Sequence, residues 1–205
     1  MESRDRGPAA RAGRDAGAGG GGKSGDGSSG DETRGDGARP KPRRTAVDLA
    51  ALLAFLAASA LVAWLGSQAT ISNVTGWYAA ADKAPWSPPN WVFGPVWTVL
   101  YTAMAVAAWL VWRSHGPNRR TALTLYGVQL ALNMVWTPVF FGLYPAWGAA
   151  ALWLALGIIV ALALAVAGTV LLFGPIRRTA GLLMLPYLSW VVFASSLNLW
   201  AAANN

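Results

Sequence analysis

The chain has 205 residues, of which 55% are apolar and only 12% are charged, and its formal net charge is +7. It contains no cysteine, which excludes disulfides, thiolate metal sites and cysteine nucleophiles. The single histidine, His115, is predicted to lie in a solvated turn, so we expect neither a serine hydrolase triad nor a metal site.

Residues 1–44 differ in composition from the rest of the chain. They contain 12 glycines, ten lysines and arginines, seven acidic residues and no aromatic, leucine, isoleucine or valine residue. Such a segment buries too little apolar surface to offset the cost of ordering its backbone. We therefore predict a disordered N-terminal arm with no specific partner and no bound nucleic acid. Its acidic residues argue against an organelle transit peptide.

Five apolar runs follow, each of about the 20 residues that are needed to cross a bilayer. The predicted helices cover about residues 46–66, 94–113, 120–141, 147–173 and 179–202. Pro138 is expected to kink the third helix near its end. The fold predicted for residues 45–205 is an all-α membrane protein, a five-transmembrane-helix bundle.

A long loop, residues 67–93, is predicted after the first helix because its prolines prevent a continuous helix. Seven aromatic residues lie in this loop and in the start of the second helix: Trp77, Tyr78, Trp86, Trp91, Phe93, Trp97 and Tyr101. Rings with an apolar face and a polar edge suit either a membrane interface or a flat apolar ligand. The stretch by itself leaves both interpretations open.

The basic residues of the membrane domain are distributed unevenly between the two ends of the helices. Five arginines lie in the second-to-third and fourth-to-fifth turns, on the same side as the arm, whereas the other side has Lys83 alone. The positive-inside rule therefore predicts a cytoplasmic amino terminus and an external first loop. A bacterial cell membrane is the expected location.

Three of the helices are predicted to direct aromatic and polar side chains toward the centre of the bundle. These faces are Trp97, Tyr101, Ala105 and Ala108 in the second helix, Gln129, Asn133, Trp136 and Thr137 in the third, and Tyr187, Trp190, Ala194 and Leu197 or Asn198 in the fifth. They indicate either a pocket for a large flat ligand or interhelical packing with amides as hydrogen-bonding groups. No ionisable residue lies in the middle of a span, which argues against proton- or sodium-coupled transport.

The fourth helix carries small residues at roughly one-turn spacing: Gly157, Ala161, Ala165 and Gly168. Small residues allow two membrane helices to approach closely, so this face is a candidate homodimer interface. Lipid-facing alanines are an equally good interpretation of the same pattern.

Three blocks of sequence resemble a known family. They are WY at 77–78 with KAPWSPPNWVFGPVWTVLY at 83–101, QLALN at 129–133 with WTPVFFG at 136–142, and LPYLSW at 185–190 with Phe193, Ala194, Leu197 and Asn198. Together they are similar to the TspO/MBR family of tryptophan-rich sensory proteins and translocator proteins, also called peripheral benzodiazepine receptors. The resemblance covers residues 46–205.

The resemblance implies a first loop that folds over a central cavity, which binds porphyrins such as protoporphyrin IX or haem, sterols and synthetic benzodiazepine-type ligands. In the family, ligands contact the positions that match Tyr78, Trp97, Asn133, Trp190 and Ala194. Some bacterial members are reported to degrade protoporphyrin in light with the tryptophans that match Trp97 and Trp190. Family members are often dimers.

The expected function is therefore a membrane receptor or sensor for tetrapyrroles that requires no cofactor. The alternatives are a light-dependent porphyrin-degrading enzyme and a passive porphyrin or sterol transporter. The full set of predicted ligand-binding residues is Tyr78, Lys83, Trp97, Tyr101, Asn133, Trp136, Tyr187, Trp190, Ala194 and Leu197.

Two departures from the family pattern refine this expectation. Leu199 stands where the cholesterol motif of the animal members has tyrosine, and no basic residue follows it, which favours a tetrapyrrole over cholesterol. The usual Lys-Pro pair is interrupted as Lys83-Ala84-Pro85. Lys83 is nevertheless the only base in the loop, and we expect it to pair with a propionate carboxylate.

Overall fold

The computed structural model describes the backbone of residues 42–205, and the side chains from Thr45 onward except those of Ala69 and Ser72. Residues 1–41 of the predicted arm lie outside the described residues. The structure places residues 42–44, the last three of the predicted arm, in the first helix.

The described residues form five long helices: α1 (Pro42–Val74), α3 (Asn90–Arg113), α4 (Arg119–Thr137), α6 (Ala149–Ile176) and α7 (Arg178–Asn204). Two short helices, α2 (Trp77–Ala80) and α5 (Tyr144–Trp147), lie in the connections. Each long helix is long and apolar enough to cross a membrane. Within residues 42–205 no strand occurs, and the predicted all-α fold with five membrane spans is confirmed.

The first connection is shorter than the predicted loop of residues 67–93. Helix α1 continues to Val74, because the segment after Gly66 contains no proline and the Ser67 and Thr70 hydroxyls donate to their own helix, at Trp64 O (2.7 Å) and Gly66 O (2.9 Å). Helix α3 begins directly after Pro89, whose extended ψ of 144° ends the connection. Residues 75–89, which we call the lid, are all that remains between the two helices.

The predicted irregularity at Pro138 takes the form of a π-helical turn, Pro138–Gly142, at the end of α4. Proline has no N–H to continue the α-helical hydrogen bonds, and Leu143 N–H instead donates to Pro138 O at 3.2 Å. The Phe141 carbonyl in this turn accepts a hydrogen bond from a side chain of the lid.

The five long helices form a ring in the order α1, α3, α7, α6, α4, with α4 returning to α1. Helix α1 is the least buried of the five. Helices α6 and α7 share the most extensive interface and are joined by Arg177 alone. They meet so closely that a Cβ on Gly181 would lie 2.9 Å from Gly174 Cα.

At the end of the ring opposite the lid, α1 and α3 are joined by polar contacts. Arg113 Nε lies 3.2 Å from Asp48 Oδ2, and Trp109 Nε1 donates to Asp48 O at 2.8 Å. The Arg113 guanidinium also lies 4.5 Å from the centre of the Trp109 ring. Toward the lid both helices contribute residues to the wall of a cavity.

Candidate functional site

A cavity of about 500 Å³ lies inside the ring at the lid end. Its walls come from α1, α2, α3, α4 with its π-helical turn, and α7. Helix α6 contributes no residue to these walls and serves to support α4 and α7 from behind.

Seven of the ten predicted ligand-binding residues line this cavity: Tyr78, Trp97, Tyr101, Asn133, Trp136, Trp190 and Ala194. The helical spacing used to group them therefore identified side chains that share a surface. The small residues predicted deeper along α3, Ala105 and Ala108, are fully buried and pack the ring below the cavity.

Three predicted residues lie outside the cavity wall. Tyr187 is fully buried behind Asn133, as part of the packed core. Leu197 does not line the cavity; the neighbouring Asn198 is the buried member of that pair and bonds Trp136. Lys83 lies over the ring of Tyr78, with Nζ 5.2 Å from the ring centre. The same Nζ donates a hydrogen bond to Ala79 O at 3.1 Å.

Aromatic rings form the wall between α3 and α7. Trp97 stacks on Tyr101 with ring centres 5.3 Å apart and an angle of 29°. Trp190 stands nearly perpendicular to Trp97, with centres 6.4 Å apart and an angle of 86°, and Phe93 packs against its other side at 5.7 Å. All four rings line the cavity, and such aromatic surfaces suit a planar apolar ligand.

Asn133 is the principal polar group of the wall, and two phenols hold its carboxamide. Tyr101 Oη donates to Asn133 Oδ1 at 3.2 Å, and Asn133 Nδ2 donates to Tyr187 Oη at 2.7 Å. An amide has two N–H bonds and two lone pairs on oxygen, so one of each remains for a ligand. Tyr187 thus acts by positioning the amide, since it does not reach the cavity itself.

The wall provided by α1 was missed by sequence analysis. It comprises Ala63, Trp64, Gly66, Ser67, Thr70, Ile71 and Val74. The small and hydroxyl-bearing residues among them recur every three to four positions, which is the signal of one helix face. It was overlooked because the segment after Gly66 was predicted to be loop.

The lid is held against the bundle at three points. Trp77 Nε1 donates to Phe141 O at 2.8 Å, and its ring stacks on Tyr144 with centres 3.8 Å apart. Trp86 Nε1 donates to Ser196 Oγ at 3.2 Å. The Asn205 carboxamide pairs with the backbone of Asp82 in both directions, at 2.7 and 3.1 Å.

Tyr78 reaches from the lid into the cavity. Its ring packs edge-on against Phe140 and Phe141 of the π-helical turn, with centres 6.0 and 5.3 Å away. Burial raises the pKa of the Tyr78 phenol above its ordinary value of 10.0, because a phenolate would lose hydration there. The group is therefore a neutral hydroxyl at physiological pH.

Among the described residues that line the cavity, none carries a charge. The polar side-chain groups include hydroxyls and two carboxamides. The indole N–H of Trp190 is buried and makes no hydrogen bond with the described residues. Such a wall favours ligands whose enclosed part is uncharged, since an unpaired charge is costly to remove from water.

Comparison with known proteins places this geometry in context. The model of the TspO/MBR family matches residues 54–202, which include every residue that lines the cavity. The match begins within α1 and ends near the end of α7.

Similar proteins occur in all three domains of life. The human translocator protein is 37% identical over 150 residues, 71% of this chain and 85% of the relative. The tryptophan-rich sensory protein of Cereibacter sphaeroides is 38% identical over 159 residues, which cover 78% of this chain and 94% of the relative. The tryptophan-rich protein TspO of Archaeoglobus fulgidus is 36% identical over 153 residues, which cover 74% of this chain and 95% of the relative.

Proposed function

This chain belongs to the TspO/MBR family of integral membrane proteins, and on that premise we propose that it is a receptor or sensor that binds a tetrapyrrole in its aromatic cavity. The observation that carries the proposal is the charge-free cavity walled by Trp97, Trp190 and Tyr78. Its volume of about 500 Å³ is within the range of small-molecule sites. The planar rings favour a planar ligand over a compact one.

The ligand's polar groups have defined partners in this arrangement. The free N–H and lone pair of Asn133 suit uncharged donors and acceptors of a macrocycle. The propionate carboxylates of protoporphyrin would remain outside the enclosed wall, because no base lines it. Lys83, whose Nζ lies over the Tyr78 ring, is the base that we expect to pair with a propionate carboxylate outside the cavity wall.

Titration of the purified protein with protoporphyrin IX, followed by tryptophan quenching, tests this function. We expect saturable binding that the Trp97→Ala, Trp190→Ala double variant weakens by about tenfold or more, since each ring contact contributes about 1 kcal/mol. Trp153→Ala is the matched control, because that tryptophan is 51% exposed on α6 and lies outside the cavity. Equal affinity of the double variant and the parent would refute the site.

The pair formed by Trp97 and Trp190 supports a second candidate function, the light-dependent degradation of the bound porphyrin with dioxygen. Both indoles line the cavity with ring centres 6.4 Å apart, so one ligand would contact both. Illumination of the porphyrin complex in air should then produce a new absorbing product. Binding without any such product would leave the receptor function alone.

A further inference from the structure

The cavity is open on one side, between the lid halves of α1 and α3. Trp64 and Ile71 line it from α1 and are also 58% and 66% exposed on the outside of the ring. Gly94 and Thr98 line it from α3 and are likewise exposed. A residue that faces both the cavity and the exterior marks an opening, which we call the α1–α3 gap.

The shape of the gap follows from the way the two helices are joined. At the far end they are held together by the contacts of Asp48 with Trp109 and Arg113. At the lid end, Gly94 of α3 lines the cavity, and a Cβ added to it would meet nothing within 4 Å. The gap therefore lies at the end of the α1–α3 pair that the contacts of Asp48 do not hold together.

The hydroxyls around the gap do not make it a polar opening. Ser67 and Thr70 donate to carbonyls of α1, and Thr98 Oγ1 donates to Gly94 O at 2.9 Å within α3. A hydroxyl that donates to its own helix presents mainly its carbon atoms to its surroundings. An apolar molecule can pass such groups without leaving a donor unsatisfied.

The surface around the gap faces hydrocarbon. Leu61 on α1 is 55% exposed, and Val99 on α3 is 67% exposed, so the apolar exterior continues on both sides of the opening. In a membrane span such side chains are solvated by lipid tails. The gap therefore connects the cavity with the bilayer.

The route through the lid, in contrast, is closed by specific contacts. A ligand entering from water would have to break the Trp77–Phe141 or Trp86–Ser196 hydrogen bond, or the paired contacts between Asn205 and Asp82. It would also have to separate the edge-on Trp86 and Trp200 rings, whose centres are 5.3 Å apart.

From these observations we propose that the ligand reaches the cavity sideways from the bilayer, edge first, through the α1–α3 gap, with the lid remaining closed. The proposal rests on the ligand-binding function proposed above. It implies that the ligand is a molecule dissolved in the membrane, and that its charged groups trail in the gap toward the lipid headgroups.

The test measures the rate of quenching when protoporphyrin IX in donor vesicles is mixed with the protein in proteoliposomes. Gly94→Leu places a side chain in the gap. We expect this variant to slow association and dissociation by similar factors of about ten, which is within the range over which on-rates vary among mutants of one site. Gly127→Leu is the matched control, because Gly127 is exposed on α4, away from the cavity, and its added Cβ also meets nothing within 4 Å.

Two further variants separate a blocked route from a damaged site. Trp64→Ala widens the gap and should accelerate both rates, which a mere loss of wall contacts would not do for association. Trp86→Phe combined with Asn205→Ala loosens the lid and should leave the association rate unchanged. Faster association in the lid variant, with no effect of Gly94→Leu and Trp64→Ala, would overturn lateral entry in favour of the lid route.

The initial titration keeps the two proposals distinct. A parent protein that shows no saturable quenching refutes tetrapyrrole binding, and lateral entry of that ligand with it. A parent that binds, with rates insensitive to the gap variants, refutes lateral entry alone.

Discussion

At the scale of single residues, the carboxamide of Asn133 shows how a polar group is kept in a membrane-embedded wall. Its oxygen and one N–H are held by Tyr101 and Tyr187 on opposite sides, so its orientation is set before any ligand arrives. Fixed orientation lowers the entropy lost on binding, and Asn133 is among the residues that line the cavity. We therefore expect Tyr187 to affect binding without contacting the ligand.

Tyr187→Phe tests this positioning role. The Asn133 N–H loses its acceptor, and we expect the free energy of unfolding in detergent to fall by about 1 kcal/mol, with weaker protoporphyrin binding. Tyr144→Phe is the control, because the Tyr144 hydroxyl makes no hydrogen bond with the described residues while its ring stays on Trp77. Unchanged stability and affinity in the Tyr187 variant would show that the amide is held by packing alone.

The buried phenol of Tyr78 gives a pH dependence with a defined sign. Its pKa is higher in the folded state than the ordinary 10.0, so its contribution to stability is fully present below pH 10. The contribution is lost as the pH rises through the folded-state pKa, because the unfolded chain then releases the proton more readily. Denaturation at several alkaline pH values should show a smaller alkaline loss for Tyr78→Phe than for the parent, and equal losses would contradict the assignment.

At the scale of elements, the lid and the π-helical turn depend on each other. Pro138 begins the turn, Phe141 lies in it, and the Trp77 indole donates to the Phe141 carbonyl. The π-helical turn thus contains the attachment point for the lid, 64 residues away in the chain.

Trp77→Leu should detach this end of the lid. It removes the hydrogen bond to Phe141 O and the stack on Tyr144, so amide hydrogen exchange in residues 77–89 should accelerate about tenfold, the equivalent of roughly 1.4 kcal/mol. Trp91→Leu serves as the control, because that ring is 75% exposed and makes no ring contact with the described residues. Equal protection of the lid in both variants would contradict the anchoring role.

The contact between α6 and α7 sets a limit on side-chain size. Gly181→Ala would place a methyl group 2.9 Å from the Gly174 backbone, which cannot move as a side chain can. We expect the helices to be pushed apart, with a loss of about 1–3 kcal/mol in unfolding free energy. Gly157→Ala on α6 meets nothing within 4 Å and should be neutral in the same denaturation assay. A neutral Gly181 variant would show that the helix pair repacks freely.

The predicted dimer face on α6 remains a prediction for the same element. Gly157 and Ala161 are exposed, as a contact between copies of the chain requires. Gly168, however, is used within the chain, since a Cβ there would lie 2.9 Å from Leu125 Cδ2. The four-residue pattern is therefore divided between an internal contact and a free surface.

At the scale of the whole molecule, the charged residues gather at the end of the ring opposite the lid. The turn at Gly116 lies against the end of α6, with the Ile176 side chain 3.7 Å from the position of a Cβ on Gly116, next to Arg177 and Arg178. The same end holds Asp48 and Arg113. One face of the domain thus carries the arginines and the other carries the lid.

The orientation of the molecule can be measured with single cysteines, because the chain has none of its own. A membrane-impermeant maleimide should label Asp82→Cys on intact bacterial cells, and His115→Cys only after permeabilisation, if the arginine-rich end is cytoplasmic. Both positions are exposed. The reverse labelling pattern would show that the amino terminus is external.

The amino-acid sequence alone determined the membrane environment, the number of spans and seven of the twenty residues that line the cavity. Apolar length and helical period are local properties, so they place Trp97 and Tyr101, or Asn133 and Thr137, on common faces without knowledge of the neighbours. The long blocks shared with a known family then indicated which faces meet.

Only the tertiary structure decided which of these side chains reach the cavity and which support it. Tyr187 and Trp190 have similar sequence contexts, but the tilt and packing of α7 put the first behind Asn133 and the second in the wall. The contribution of α1 and the opening beside it likewise follow from where α1 lies against α3 and α4. A hydrophobic pattern indicates that a helix has a buried face. Long-range packing decides which helix lies against that face and how far apart the two helices are.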